Sequence, residues 1–238
     1  MLIDVLTIFP SMFAPILNES ILKRAQKTGR VKIRIHDIRG YSLDKHHKVD
    51  DRPYGGGCGM VMAAGPIFSC VEAILKKTKT KLKKRSILLF SPKGKKFSQI
   101  DAKCLASKSH LILICGRYEG VDERVARYLS DEEISIGDYV LTGGELPAMV
   151  IIDAITRLLP GVLGNVDSNR FESFENNMLE YPQYTRPAVF KGKKVPAVLM
   201  TGDHGLIAAW RKKEAIKITK KVRPDMVMKN PSSFDSKF

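Results

Sequence analysis

The residues best suited to chemistry lie mid-chain, where Cys115-Gly-Arg-Tyr-Glu-Gly-Val-Asp-Glu-Arg124 is followed by Ser135-Ile-Gly-Asp-Tyr-Val-Leu-Thr-Gly-Gly-Glu145. Gly116, Gly120, Gly137, Gly143 and Gly144 punctuate the stretch, and glycine is what a backbone needs to turn sharply or approach a ligand closely. From Glu119 to Glu145 the acids are Glu119, Asp122, Glu123, Asp131, Glu132, Glu133, Asp138 and Glu145, opposed only by Arg124 and Arg127. The whole chain is basic, with 40 Lys and Arg against 25 Asp and Glu and a formal charge of +15. An acidic, glycine-punctuated pocket wall inside a basic protein predicts two ligands of opposite charge. The basic excess predicts a polyanion, nucleic acid first, because cations that neutralise phosphates release condensed counterions.

Other motifs narrow the chemistry by exclusion. In Asp51-Arg-Pro-Tyr-Gly-Gly-Gly-Cys-Gly-Met60 a dinucleotide fingerprint fails, since Met62 stands where the third glycine belongs and the preceding residues are polar. No P-loop and no G-x-S-x-G elbow occurs. What remains is a basic loop with His46, His47, Lys48, Asp50, Asp51 and Arg52 on the ligand side. Cys58, Cys70, Cys104 and Cys115 form no C-x-x-C pair, so reduced thiols are expected rather than zinc or disulfides.

Elements must position these loops. Apolar runs at Leu2 to Phe9, Val31 to Ile38, Ser86 to Phe90 and Leu111 to Cys115 read as buried strands. Helices are expected at Ser11 to Lys27, Pro66 to Lys77, Ser98 to Ser107 and Pro147 to Leu159, the last strongly apolar. Strand and helix alternate, so an α/β fold with a mainly parallel sheet flanked by helices follows. Ligands in such sheets sit beyond the carboxyl ends of strands, which lets Ser91-Pro-Lys-Gly94, Cys115 to Gly120 and Ile136 to Gly144 converge. After Gly164 the chain turns polar. We expect a domain over 1–162, a flexible connector over 163–173 and a small, mainly helical domain over 174–238, with a basic helix from about His204 to Val222 and a disordered tail from Asn230. Trp210 on that helix reads as core. The N-terminus reads as a strand rather than a signal peptide, and no segment approaches a membrane span, so a soluble cytoplasmic protein is expected.

Taken together, Tyr54-Gly-Gly-Gly-x-Gly-Met60, Ser91-Pro-x-Gly94, Cys115 to Arg124, Ser135 to Ala148, Pro160-Gly-Val-Leu-Gly164 and Tyr184-Thr-Arg-Pro187 resemble the bacterial tRNA (guanine-N1)-methyltransferases of the knotted SPOUT superfamily. The resemblance runs in order from residue 1 to about 215. It implies transfer of a methyl group from S-adenosylmethionine to N1 of the guanosine at position 37 of tRNA, immediately 3′ of the anticodon. It implies a deep trefoil knot, a homodimer with the active site at the subunit interface, and Mg2+ dependence with ligands unnamed. Cofactor contacts are then expected from Leu89, Ser91, Pro92, Gly116, Tyr118, Glu119, Gly120, Ile136, Gly137, Asp138, Tyr139, Val140, Leu141, Gly143 and Gly144, with glycines and backbone carrying more of the work than carboxylates. For tRNA the expected contacts are His46, Asp50, Arg52, Arg117 and Arg186, in the C-terminal domain joined by Arg211, Lys212 and Lys213. The catalytic pair would be Arg157, which on the residues alone is also a helix-end cation, and Glu172. Glu172 falls where the family has an aspartate base; Asp167 is the alternative.

Overall fold

The computed structural model describes residues 1–78, 80–164 and 172–229. The chain divides into two compact units, Met1–Gly164 and a second whose described residues are 172–229. Asp167 and the tail from Asn230 lie outside the described residues.

The first unit is built on strands β1 (Leu2–Thr7), β2 (Lys32–Asp37), β5 (Arg85–Lys96), β6 (His110–Ile114) and β7 (Glu132–Ser135), in the order β2-β1-β6-β5-β7 and parallel throughout. A two-residue pair, β3 (Asp50–Asp51) with β4 (Val61–Met62), stands apart as an antiparallel ribbon. Every residue of β6 is buried, as a central strand covered on both faces requires. On one face Ile3, Val5, Leu111 and Leu113 pack with residues of α1 (Ala14–Leu17), α2 (Ser20–Lys27), α4 (Gln99–Ala106) and α6 (Glu145–Thr156). On the other, Leu6, Ile112 and Ile114 pack with α3 (Ala64–Thr78) and with Val125 of α5 (Glu123–Tyr128).

The expected alternation holds, with local corrections. The helix expected over Ser11 to Lys27 is broken, because Ser20 takes a positive φ of 46° and separates α1 from α2. Helix α4 starts where expected, with Ser98 and Asp101 closing a capping box. Helix α6 begins and ends earlier than Pro147 to Leu159 would have it, Pro147 falling in its first turn, where a missing N–H costs nothing. Strand β7 went unread among its acids.

A buried charge sits on the α3 face. The Asp4 carboxylate is bonded by Arg34 at 2.6 and 2.7 Å, by His36 Nε2 at 2.6 Å and by His110 Nε2 at 2.7 Å. Burial alone would raise its pKa, but the bonds from His110, His36 and Arg34 outweigh burial and hold it well below the usual carboxylate range.

In the second unit a hairpin of β8 (Val189–Phe190) and β9 (Lys193–Lys194) precedes α7 (His204–Val222) and α8 (Pro224–Lys229). Asp203 caps α7 by accepting from the Gly205 and Leu206 amides. Buried Thr219 accepts from the Leu179 N–H at 2.9 Å and donates to the Ala215 carbonyl at 2.7 Å, fastening α7 to the segment before the hairpin.

Candidate functional site

The first loop of the site is a bulge. Phe90 and Lys95 of β5 both stand opposite Ile134 of β7, so Ser91-Pro-Lys-Gly94 leaves the ladder between them. Pro92 has no N–H to lose there. Gly94 passes so close to β7 that a Cβ would lie 2.5 Å from the Glu133 carbonyl carbon and the Ile134 nitrogen.

The second loop follows β6. Tyr118 is held at a positive φ of 60°, a conformation that costs a non-glycine residue of order 1–3 kcal/mol and persists where surroundings impose it. The imposing partner is the glycine-rich segment. Glu119 N–H donates to the Met60 carbonyl at 3.0 Å, Met62 N–H to Gly120 at 2.9 Å and Asp122 N–H to Met62 at 2.9 Å. Beneath them Gly59, at φ 80°, leaves room for Glu119; a Cβ there would sit 2.9 Å from its carboxyl carbon. Of the glycines expected on the ligand side, Gly59 thus lies against the loop after β6, which Met60 and Met62 brace, whereas a Cβ on Gly55 or Gly56 would meet nothing within 4 Å. Burial, then the charge of Asp50, pushes the Tyr118 phenol up.

The third loop, between β7 and α6, is clipped to the second by a buried ion pair. Glu145, fully buried, accepts from Arg117 Nε at 2.9 Å and from Thr7 Oγ1 at 2.7 Å. Arg117 also reaches Thr142 Oγ1 at 3.3 Å and lies 4.6 Å over the Phe9 ring. Gly144 N–H donates to the Gly116 carbonyl at 2.9 Å, and a Cβ on Gly144 would meet the Cys115 Cα at 2.7 Å. Three loops are therefore fixed in mutual register by contacts only glycine allows at their closest points.

They enclose a recess of about 380 Å3. Of the residues expected at the cofactor, the structure brings together all but Asp138, whose exposed carboxylate pairs instead with Lys96 Nζ at 2.8 Å. The acidic wall expected from the sequence is largely spent elsewhere. Asp122 is bonded by Arg124, which holds its carboxyl below the ordinary value despite partial burial; Asp131 accepts from the Ile87 N–H; Glu145 is buried with Arg117. Glu119, Glu123 and Glu133 line the recess, and Glu123 also pairs with Lys93 and Arg127.

Of the residues expected at tRNA, Arg117 lines this recess with its guanidinium committed to Glu145. Asp50 lies on β3 beside Tyr118. His46 is exposed in the preceding turn, its N–H donating to Asp44 Oδ1 at 2.8 Å, and Arg52 is exposed one residue past β3. Arg157 is the half-buried C-cap of α6. Glu172 and Arg186 belong to the second unit, where Glu172 is half-buried at the edge of a mainly apolar hollow with Met178, Leu179 and Tyr181. Among the described residues no group of three or more His, Cys, Asp or Glu could cage a metal, so the structure names no ligands for Mg2+. No helix of the described residues is long and apolar enough to cross a membrane.

Comparison with known proteins shows the family of the chain. Residues 1–229 match a family model described as tRNA (Guanine-1)-methyltransferase TrmD. A tRNA (guanine-N(1)-)-methyltransferase of Geobacillus kaustophilus is 53% identical over 231 residues, covering 97% of this chain and 93% of the relative. That of Moorella thermoacetica is 54% identical over 239 aligned positions, covering 100% and 95%, and that of Dictyoglomus turgidum 55% over 227, covering 95% and 90%. With three of its motifs gathered at one recess and nearly its full length matched, the chain belongs to the tRNA (guanine-1)-methyltransferase family.

Proposed function

We propose that the chain transfers a methyl group from S-adenosylmethionine to N1 of guanosine 37 of tRNA. The observation that carries this reading is the recess of three glycine-clipped loops, on a chain matched by family relatives over nearly its whole length. The recess suits the donor. Glycine at Gly94 and Gly144 lets backbone approach backbone, Ile136, Leu141 and Pro147 provide apolar wall, and Glu119 and Glu133 add carboxylates for a cationic ligand. When bound, S-adenosylmethionine supplies an electrophilic methyl group on a sulfonium. Backbone groups of Gly116 and of residues 136–141 would hold its adenine and methionine ends.

Guanine N1 is protonated at neutral pH and must lose that proton before its lone pair can attack. Glu172 would take that proton, freeing the N1 lone pair to accept the methyl group that the donor would supply when bound, its sulfonium sulfur keeping the S–C electron pair. Arg157 stabilises the negative charge that deprotonation spreads onto guanine O6. Tyr118, Asp50 and Arg52 share one loop assembly, so Asp50, Arg52 and His46 are assigned to the tRNA side of the recess and Arg186 to the tRNA side of the second unit. Arg117 is assigned to holding the loops together, since its charge is matched inside the protein. The three loops form the trefoil knot of the superfamily. Leu146 and Val150 expose an apolar face one turn apart on α6, at 48% and 47%, which supports a homodimer meeting there. Cytoplasmic action follows from the substrate, and Mg2+ is retained without ligands.

Labelled methyl transfer to tRNA transcripts tests the reading. A transcript with guanosine 37 is methylated and one with adenosine 37 is not; equal labelling of both, or none of either, overturns it.

A further inference from the structure

The second unit holds a recess of its own, whose aromatic walls the proposed methyl transfer has not yet used. Its volume is about 590 Å3, and its walls include Tyr181, Tyr184, Trp210, Arg186, Arg211 and the amide of Gln183. Small-molecule sites run from roughly 300 to 1,000 Å3. None of the described residues lining it is acidic. The Tyr184 and Trp210 rings stand 6.3 Å apart at 56°, two walls of a corner rather than a closed stack. Tyr184 is 49% exposed, so a ring face remains open to an incoming plane. Arg211 lies 4.8 Å over the Tyr181 ring. The same helix, α7, carries exposed Lys213, Lys217, Lys220 and Lys221.

We propose that this recess receives one unpaired base of the tRNA substrate, stacked on the open face of Tyr184 beside Trp210, with its phosphate toward Arg186 and Arg211. Unpaired bases are recognised by aromatic rings and guanidinium planes, with hydrogen bonds to their edges. Gln183 offers both a donor and an acceptor to such an edge. Three rings with two guanidinium groups and no acid suit a flat, anionic-backed ligand; an apolar peptide would not call for the cations, nor an acidic one for the rings. The identity of the RNA rests on the methyltransferase reading, but the stacking site does not.

Trp210 is the sole tryptophan of the chain, so its emission reports on this recess in the full-length protein. Titration with the guanosine-37 transcript is expected to quench Trp210 emission, saturating with the tRNA dissociation constant from filter binding. Tyr184→Ala is expected to weaken tRNA binding roughly 5- to 150-fold, the loss of one stacked base, while Tyr184→Phe, which keeps the ring, restores it. Unchanged emission at saturating tRNA overturns the proposal, as does wild-type affinity in Tyr184→Ala or stronger quenching by a poly-glutamate peptide. If Tyr184→Ala fails to fold, the emission titration of the wild-type protein still decides. Quenching by an unstructured RNA oligonucleotide without methylation of any transcript would sink the methyltransferase reading and leave the stacking site standing. Methylation without quenching would do the reverse.

Discussion

The recess of residues 89–147 and the recess beside α7 differ in what their walls are made of. In the first, shape comes from backbone: a bulge, a loop held at positive φ and a third loop, locked by Gly94, Gly144 and the buried Arg117–Glu145 pair. In the second, it comes from side chains that keep solvent contact, above all Tyr184, Arg186 and Arg211. The contrast matches two ligands. A small donor that must present one methyl group gains from walls that cannot shift. A long polyanion gains from several adjustable, individually weak contacts.

The largest expected effect breaks the rigid side. Arg117→Ala strands the Glu145 carboxylate in the interior, a loss of about 3–5 kcal/mol and of roughly 6–20 °C in melting temperature; a melting point equal to wild type would show that the loops do not depend on the pair. Acid should separate the two units next. Asp4 has a folded pKa below its unfolded value, so its stabilisation is present above about pH 3.9 and lost as pH falls from there toward the folded value. Among the described residues no buried carboxylate lies in the second unit. Amide exchange measured downward from pH 5 should thus show the first unit loosening in a manner that Asp4→Asn, already destabilised at neutral pH, no longer displays.

Gly144→Ala sharpens the contrast at the recess itself. Overpacking against the Cys115 backbone should cost about 1–3 kcal/mol of stability in a denaturant titration, whereas Gly65→Ala, with open space around it, should leave stability near wild type. On the adjustable side, Lys213→Ala should weaken tRNA only a few-fold and flatten the dependence of log affinity on log salt by about 0.7–0.9. Smallest of all, Arg124→Ala removes an exposed partner of Asp122 and should cost under about 1 kcal/mol in a denaturant titration.

What could be read in advance follows the same divide. Glycine requirements and apolar strands are local, so four of the five sheet strands and most of the recess were legible. Helix α7 was too, over His204–Val222 as expected, and the structure adds the Asp203 cap at its start. Strand β7 was not, because an edge strand beside Lys95 tolerates Glu132 and Glu133 and carries little apolar signal. The role of Arg117 depends on a carboxylate 28 residues away, and the bracing of Tyr118 on a ribbon some 60 residues earlier; neither leaves a mark in local spacing. Trp210, read as core, is instead a half-buried pocket wall, because the second unit is too small to enclose it. Departures of this kind fall where long-range contacts decide what a side chain meets.

The proposed division of labour has binding supplied by the two recesses and proton removal by Glu172. Single-turnover methylation of the guanosine-37 transcript by Glu172→Gln, with donor and tRNA both saturating, tests it most directly. A rate lowered by about 10²- to 10⁴-fold with both affinities retained is the predicted result; a near-normal rate in Glu172→Gln together with collapse in Asp167→Asn would contradict it.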